Sequence, residues 1–232
     1  WVDAFAPPLA GRVTGGIRHV PDGVMQPARW VRRLASLAAD AGVEIVEHSR
    51  VTPDDVPDGS ELVVCTDGYP SGLLGPIEGL IVPTRGQVIA TEPIPERLFE
   101  VPHYGRHGFD YWHQDADGRI VAGGFRDVAL DSEFTDEEAL TDVVQSALEA
   151  FVADLLGRPL RVDWRWAGIF GMVLDFLPVV GEVPGLERTW VAGGYSGHGN
   201  VLGFACGELV AAAVAGGDHA LLPSFDPVRL LN

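Results

Sequence analysis

The residues of this chain best suited to chemistry lie between Thr189 and Ala213, in TWVAGGYSGHGNVLGFACGELVAAA. A short apolar run leads into Gly197, Gly199 and Gly203, with His198 between the first two, and a small-residue stretch follows. Glycines let a backbone come close to a ligand, and the free N–H groups of a following helix offer partial positive charge to an anionic group. His198, in a turn with little core to satisfy, can add a donor or a cation. A dinucleotide fingerprint would need a second parallel strand about thirty residues on, ending in an acidic residue. Only the proline-containing tail LLPSFDPVRLLN follows. A ligand-facing turn and a purely structural tight turn both stay open, whereas GYSGHG lacks the spacing that would make Ser196 a hydrolase nucleophile.

Such a turn suits a flavin ring. Reduced flavin spreads negative charge over N1 and the C2 carbonyl, which a helix N-terminus stabilises without reorganisation. Elsewhere, His103, His107, His113 and Asp110 could be read as metal ligands. The surrounding Pro102, Gly105 and Gly108 argue against the helix that their spacing would need, so we expect a loop over the active site and no metal. Tyr111 and His113 alternate onto one strand face with Trp112 on the other, either as a structural aromatic stripe or as ligand contacts.

Two absences narrow the chemistry. All 16 basic residues of the 232 are arginine, so no Schiff-base, phosphate-loop or catalytic lysine exists. A formal net charge of -17 disfavours nucleic acid and anionic membrane surfaces, leaving a small molecule as the expected partner. No apolar run approaches the ~20 residues of a membrane span and no leader pattern opens the chain, so a cytoplasmic location is expected. Cys65 and Cys206 have no metal or redox spacing and read as buried structural thiols. The chain opens at Trp1 with its first methionine at Met25, from which we expect sequence upstream.

The elements that must position these residues fall into three stretches. Pro27 to Gly42 reads as a helix, with Val31, Leu34, Leu37, Ala38 and Ala41 at threes and fours. A strand is expected at Val43 to Glu47, and Leu62 to Cys65 reads as a strand buried on both faces of a parallel sheet. From Pro83 the pattern turns to alternating strands: RGQVIATE, then a hairpin in FDYWHQDADGRIVAGGF turning at Asp117-Gly118. A capping box at Thr135 and Glu138 predicts an amphipathic helix ending at Gly157. RVDWRWAGIFG returns as a strand, and Glu187 to Gly217 as strand, turn and helix. An order of α/β, antiparallel sheet, then α/β builds two domains with a ligand cleft between them.

Taken together, WVAGGYSGHGNVLGFACGELVA, GGIRHVPDGVMQPARWVRRLASLAADAGVEIVEHSRV, LVVCTDGY, IVPTRGQVIATE and WAGIFGMVLDFLPVVG resemble, in order, segments of the D-amino-acid-oxidase-like family of FAD-dependent oxidoreductases. That family includes glycine oxidase, sarcosine oxidase and gamma-glutamylputrescine oxidoreductase. The resemblance implies an α/β plus α+β chain: an incomplete, glutathione-reductase-like FAD-binding domain at 1–82 and 171–232, and an antiparallel-sheet substrate domain at 83–170. It implies FAD as cofactor, contacted by Val51 through its backbone on the adenine side and by Cys65, Thr66, Gly68, Arg85, Gly194, Gly197, His198, Gly199, Asn200 and Val201. Phe170, Tyr195 and His113 become the substrate-binding candidates, His198 and Tyr111 the catalytic ones, and Asp175 and Pro178 shape a turn.

Three departures carry information. The family's N-terminal G-x-G-x-x-G unit and its ribose-binding acid do not occur here. Phe170 stands where glycine oxidase and D-amino-acid oxidase place an arginine that clamps the substrate carboxylate, and phenyl cannot replace a bidentate clamp, which favours an amine substrate. The lysine that activates oxygen in sarcosine-oxidase-like members is absent, leaving the electron acceptor open. The expected activity is hydride transfer from the carbon bearing the amine to the flavin, followed by imine hydrolysis. The alternatives are a non-catalytic or truncated chain that needs a complementing chain or a second copy, and an NADP-binding protein using the glycine cluster.

Overall fold

The computed structural model describes residues 1–231. In chain order it contains α1 (Pro27–Asp40), β1 (Leu62–Val64), β2 (Val82–Pro93), β3 (His103–Gly105), β4 (Asp110–Gln114), β5 (Arg119–Gly124), α2 (Leu130–Glu133), α3 (Asp142–Leu156), β6 (Val162–Met172), β7 (Val179–Glu182), β8 (Thr189–Gly193), α4 (Gly199–Val214) and α5 (Leu222–Phe225). Short 3₁₀ turns link several of them. The chain divides into two compact units. The first is Trp1–Gln26, Gly86–Glu133 and Glu138–Gly168, and the second is Pro27–Arg85, Phe134–Glu137 and Ile169–Asn232. Residues 1–26, read from sequence with the stretch to 82, therefore cluster with the antiparallel strands instead.

The first unit is built on a sheet of order β3-β4-β5-β2-β6. β4 and β5 form the expected hairpin, with Asp110 opposite Gly124, and Gly118 takes φ +91 at its turn. Alternation is the reason one face is dry: Asp110, Trp112 and Gln114 are buried while Tyr111 and His113 are only partly so. Ile89, Trp112, Ile120 and Ala122 pack on Val144, Leu148, Val152 and Leu155 of α3. That helix starts at Asp142, with Thr141 at its N-cap and Gly157 ending it at φ +69, not at the predicted Thr135 box. Thr135 Oγ1 instead accepts from the N–H of Glu137 in a local turn, because a short polar side chain competes for nearby backbone as readily outside a helix as at its start.

The second unit carries a three-stranded sheet of order β1-β8-β7, with β1 parallel to β8 and β7 antiparallel to it. Around β7 and β8 both sheet faces are covered, which explains their apolar runs. Val64, Val179 and Val191 point to a core with Ile77, Ile81 and Val173, while Val180 and Ala192 meet Cys206, Leu209 and Val210, chiefly from α4. Three expectations fail here. Val43 to Glu47 forms no strand, since a strand needs a neighbour to take its N–H and C=O groups and no strand of the described residues pairs with it. Val63 in β1 is 36% exposed, so that strand is not covered on both sides. Cys65 is exposed, and only Cys206 is a buried thiol.

Candidate functional site

In the second unit, three chain segments meet where their strands end. β8 ends at Gly193, β1 runs on into Cys65, Thr66 and Asp67, and β6 ends in Phe170, Gly171 and Met172. Asp67 adopts φ +49, the left-handed region that Asp tolerates better than most residues. Its Oδ1 accepts from the N–H groups of Gly194 at 2.7 Å and Tyr195 at 3.3 Å, and its Oδ2 from Gly171 at 2.8 Å. Gly171 in turn accepts through its carbonyl from Ser196 N–H at 2.8 Å, and Ser196 Oγ takes the N–H of Val173 at 3.3 Å. Glycine is needed at the contacts. A Cβ on Gly68 would lie 2.6 Å from the Phe170 carbonyl oxygen and 2.7 Å from Gly171 N, and one on Gly171 would lie 2.9 Å from Asp67 Oδ1.

Beyond this junction the chain emerges. Gly197, His198, Gly199, Asn200 and Val201 are all exposed, and a Cβ on Gly197 would meet nothing within 4 Å. α4 opens at Gly199 with His198 as N-cap and no capping side chain, and Val201 and Leu202 donate back to the His198 carbonyl. The exposed helix start thus has no side-chain cap, and an uncapped helix N-terminus is an arrangement that can hold an electronegative or anionic group. His198 Nδ1 lies 3.2 Å from the Ser196 carbonyl, which orients the ring.

The other predicted residues divide between the units. Cys65 and Thr66 are exposed just past β1, and Val51 is exposed in irregular backbone. Gly194, at φ +72, is held by Asp67. Arg85 is buried and donates from Nη1 to the Glu137 carbonyl at 3.2 Å. Tyr195 packs with the α4 core and donates its hydroxyl to the Ala192 carbonyl, and burial, before any neighbouring charge, raises its pKa. Asp175 shapes its turn as expected, accepting from Leu177 N–H and from the Arg229 guanidinium.

Tyr111 and His113 belong to the first unit, on the face of β4 away from α3. Burial raises the Tyr111 pKa and lowers that of His113, so both are neutral near pH 7. Arg126 stacks its guanidinium 4.6 Å from the Phe109 ring centre nearby in the sequence. Two members of the metal reading, His103 and Asp110, have other partners. His103 stacks on Trp112 at 5.0 Å, Asp110 pairs with Arg106 at 2.6 Å, and His107 takes φ +57 in a 3₁₀ turn after β3 where a plain loop was expected. No cluster that could hold a metal occurs among the described residues.

Sequence reasoning passed over Asp67 and gave Ser196 only a nucleophile test. The available signal was a carboxylate directly after an apolar strand and before a glycine, as in VVCTDG.

Comparison with known proteins agrees with this architecture. The chain is 26% identical over 231 residues to the probable oxidoreductase OrdL of Haemophilus influenzae, covering 89% of this chain and 51% of that one. It is 28% identical over 179 residues to a glycine oxidase of Pseudomonas aeruginosa, covering 73% and 44%. The chain spans about half the length of the curated relatives it matches. Among solved structures, L-proline dehydrogenase from P. horikoshii superimposes with TM-score 0.59 at 22% identity, over 73% of this chain and 46% of that one. Iminodiacetate oxidase from Chelativorans sp. BNC1 does so with TM-score 0.60 at 20% identity, over 74% and 47%. The family model described as FAD dependent oxidoreductase, DAO, matches residues 2–213, nearly the whole chain. This chain belongs to the DAO family of FAD-dependent oxidoreductases.

Proposed function

We propose that this chain takes part in FAD-dependent oxidation of a C–N bond in a small amine or amino acid. The observation that carries the reading is the exposed Gly197–Val201 run at the uncapped start of α4, braced from behind by the Asp67 junction. Glycines with open space on one side and an uncapped helix start fit a flat, electronegative ring. Relatives named for glycine and structural neighbours named for iminodiacetate and L-proline, all compounds with a C–N bond beside a carboxylate, support the substrate class.

FAD, when bound, supplies the electron acceptor for the carbon that bears the nitrogen. The chain's own residues bind and orient. Gly197, Gly199, Asn200 and Val201 would hold the flavin, with His198 donating beside them, and Gly194, Gly68, Thr66, Cys65 and Arg85 belong to the same second unit. Val51 would meet the adenine side through its backbone. In the first unit, Tyr111 keeps its proton near neutral pH and serves as a hydrogen-bond donor, not as a base. Phe170 provides apolar surface for a neutral amine and no cation for a carboxylate. Tyr195 and His113 complete the proposed substrate contacts. Within the sequence-based stretches 1–82 and 171–232 for cofactor and 83–170 for substrate, residues 1–26 go with the first unit, so the cofactor role falls to 27–82 and 171–232.

The test is the visible spectrum of the purified chain before and after FAD is added and the excess removed. Retained flavin bands, bleached anaerobically by an amine, are the expected result. A colourless chain with no uptake would show that these residues do not hold the ring by themselves.

A further inference from the structure

The Asp67 carboxylate does more than cap a turn. It is acceptor-only, and its two oxygens are divided between two segments: Oδ1 takes the Gly194 and Tyr195 N–H groups at the end of β8, and Oδ2 takes the Gly171 N–H at the end of β6. Each segment leads directly to a residue of the proposed site. One is Phe170, whose carbonyl carbon and oxygen press against Gly68, and the other is the run from Gly197 to Val201. The Gly171 peptide then passes the constraint on, because its carbonyl takes the Ser196 N–H while Ser196 sits at φ +49 just before Gly197.

We propose that Asp67 is a positioning residue, which sets the conformation of the Gly197–Val201 turn and holds it in register with Phe170. The part of this that concerns flavin rests on the function proposed above; the part that concerns the turn does not. Charge-assisted bonds to backbone N–H groups are short and strong, as those from Gly194 and Gly171 are, and the longer one from Tyr195 adds a third restraint on the side chain. Asparagine is the diagnostic replacement. It keeps the shape but has one acceptor oxygen, so whichever way its amide turns, an NH₂ faces a backbone N–H and one arm of the clasp is lost.

Glu78 supplies a matched control in the same unit. Its carboxylate also gathers three backbone N–H groups, from Ser71 at 2.6 Å, Gly72 at 3.0 Å and Leu74 at 3.0 Å, but braces a different loop.

The experiment compares the chain with its Asp67→Asn, Asp67→Ala and Glu78→Gln variants by residue-resolved amide exchange and chemical shifts, then by FAD titration. With Asp67→Asn, exchange should quicken about tenfold or more at either Gly171 or Gly194, not both, and the resonances of 197–201 should move. Asp67→Ala should release both arms, and should it fail to fold, the shape-conserving Asp67→Asn decides. Glu78→Gln should leave 194–201 unchanged. FAD binding should weaken about tenfold in the Asp67 variants and not in Glu78→Gln. Unchanged shifts at 197–201 in Asp67→Asn would overturn the proposal, as would FAD affinity that falls equally in Glu78→Gln. A wild-type chain that takes up no FAD would count against the proposed function instead, and the exchange and shift data would still decide on Asp67.

Discussion

Replacing Gly68 by alanine probes the junction through space alone. Gly68 does not need the left-handed backbone that makes glycine obligatory elsewhere, so its conformation is open to alanine and only the neighbours object. The added carbon would lie 2.6 Å from the Phe170 carbonyl oxygen and 2.7 Å from Gly171 N. Both are backbone atoms and cannot rotate away. Overpacking of this kind costs about 1–3 kcal/mol. Pushing Gly171 outward also stretches its 2.8 Å bond to Asp67, a charge-assisted contact worth about 1.5–3 kcal/mol. The two together amount to about 2.5–6 kcal/mol. At about 2–4 °C per kcal/mol for a chain of this size, Gly68→Ala should melt about 5–24 °C below the wild type by circular dichroism. An open-site comparison is provided by Gly207→Ala, where the added Cβ meets nothing within 4 Å and no left-handed φ is required. A Gly68→Ala protein that melts within about 2 °C of the wild type would refute the close-packed junction.

Gly207→Ala should raise stability by about 0.5–1 kcal/mol, measured by urea unfolding, since alanine is the better helix former in the body of α4. Leu148→Ala, at a fully buried α3 position facing the first-unit sheet, should cost about 2–5 kcal/mol in the same assay. Removing the guanidinium in Arg229→Ala breaks its paired bonds to Asp175 and its donations to the Phe225, Asp226 and Leu177 carbonyls, and should cost about 1–3 kcal/mol. Burial holds the pKa of His103 below 6.5, so the unfolded chain binds the proton first as pH falls; the stability this provides is complete above about 6.5 and is lost below it. His103→Gln should flatten the fall in unfolding free energy between about pH 7 and about pH 5, and an unchanged slope would remove His103 as its source.

Much of the architecture was legible because local chemistry and tertiary demand agree. The hairpin turned where Asp117-Gly118 said it would, α1 began at Pro27, and α3 stopped at Gly157, since positive φ and a missing N–H are requirements written into single residues. The glycine run before α4 was readable for the same reason. The start of α3 was not, because Thr135, with Glu138 three residues on, carries the stronger local signal, yet packing of Val144 and Leu148 against the sheet starts the helix after Thr141, which has no such partner. Val43 to Glu47 shows the limit from the other side, for an alternating apolar segment becomes a strand only when another strand takes its hydrogen bonds.

By itself, the sequence determined the start of α1, the hairpin turn, the glycine run before α4, the absence of lysine chemistry and the family to which the chain belongs. Tertiary structure alone decided that Asp67 joins Gly171 to Gly194 and Tyr195, residues more than a hundred positions away. It alone decided that Arg85 and Tyr195 are engaged with the protein's own carbonyls. The physical reason is one of range. Backbone preferences and periodicity act over a few residues, whereas a carboxylate's partners are whichever N–H groups the packed strands bring within 3 Å or so of it.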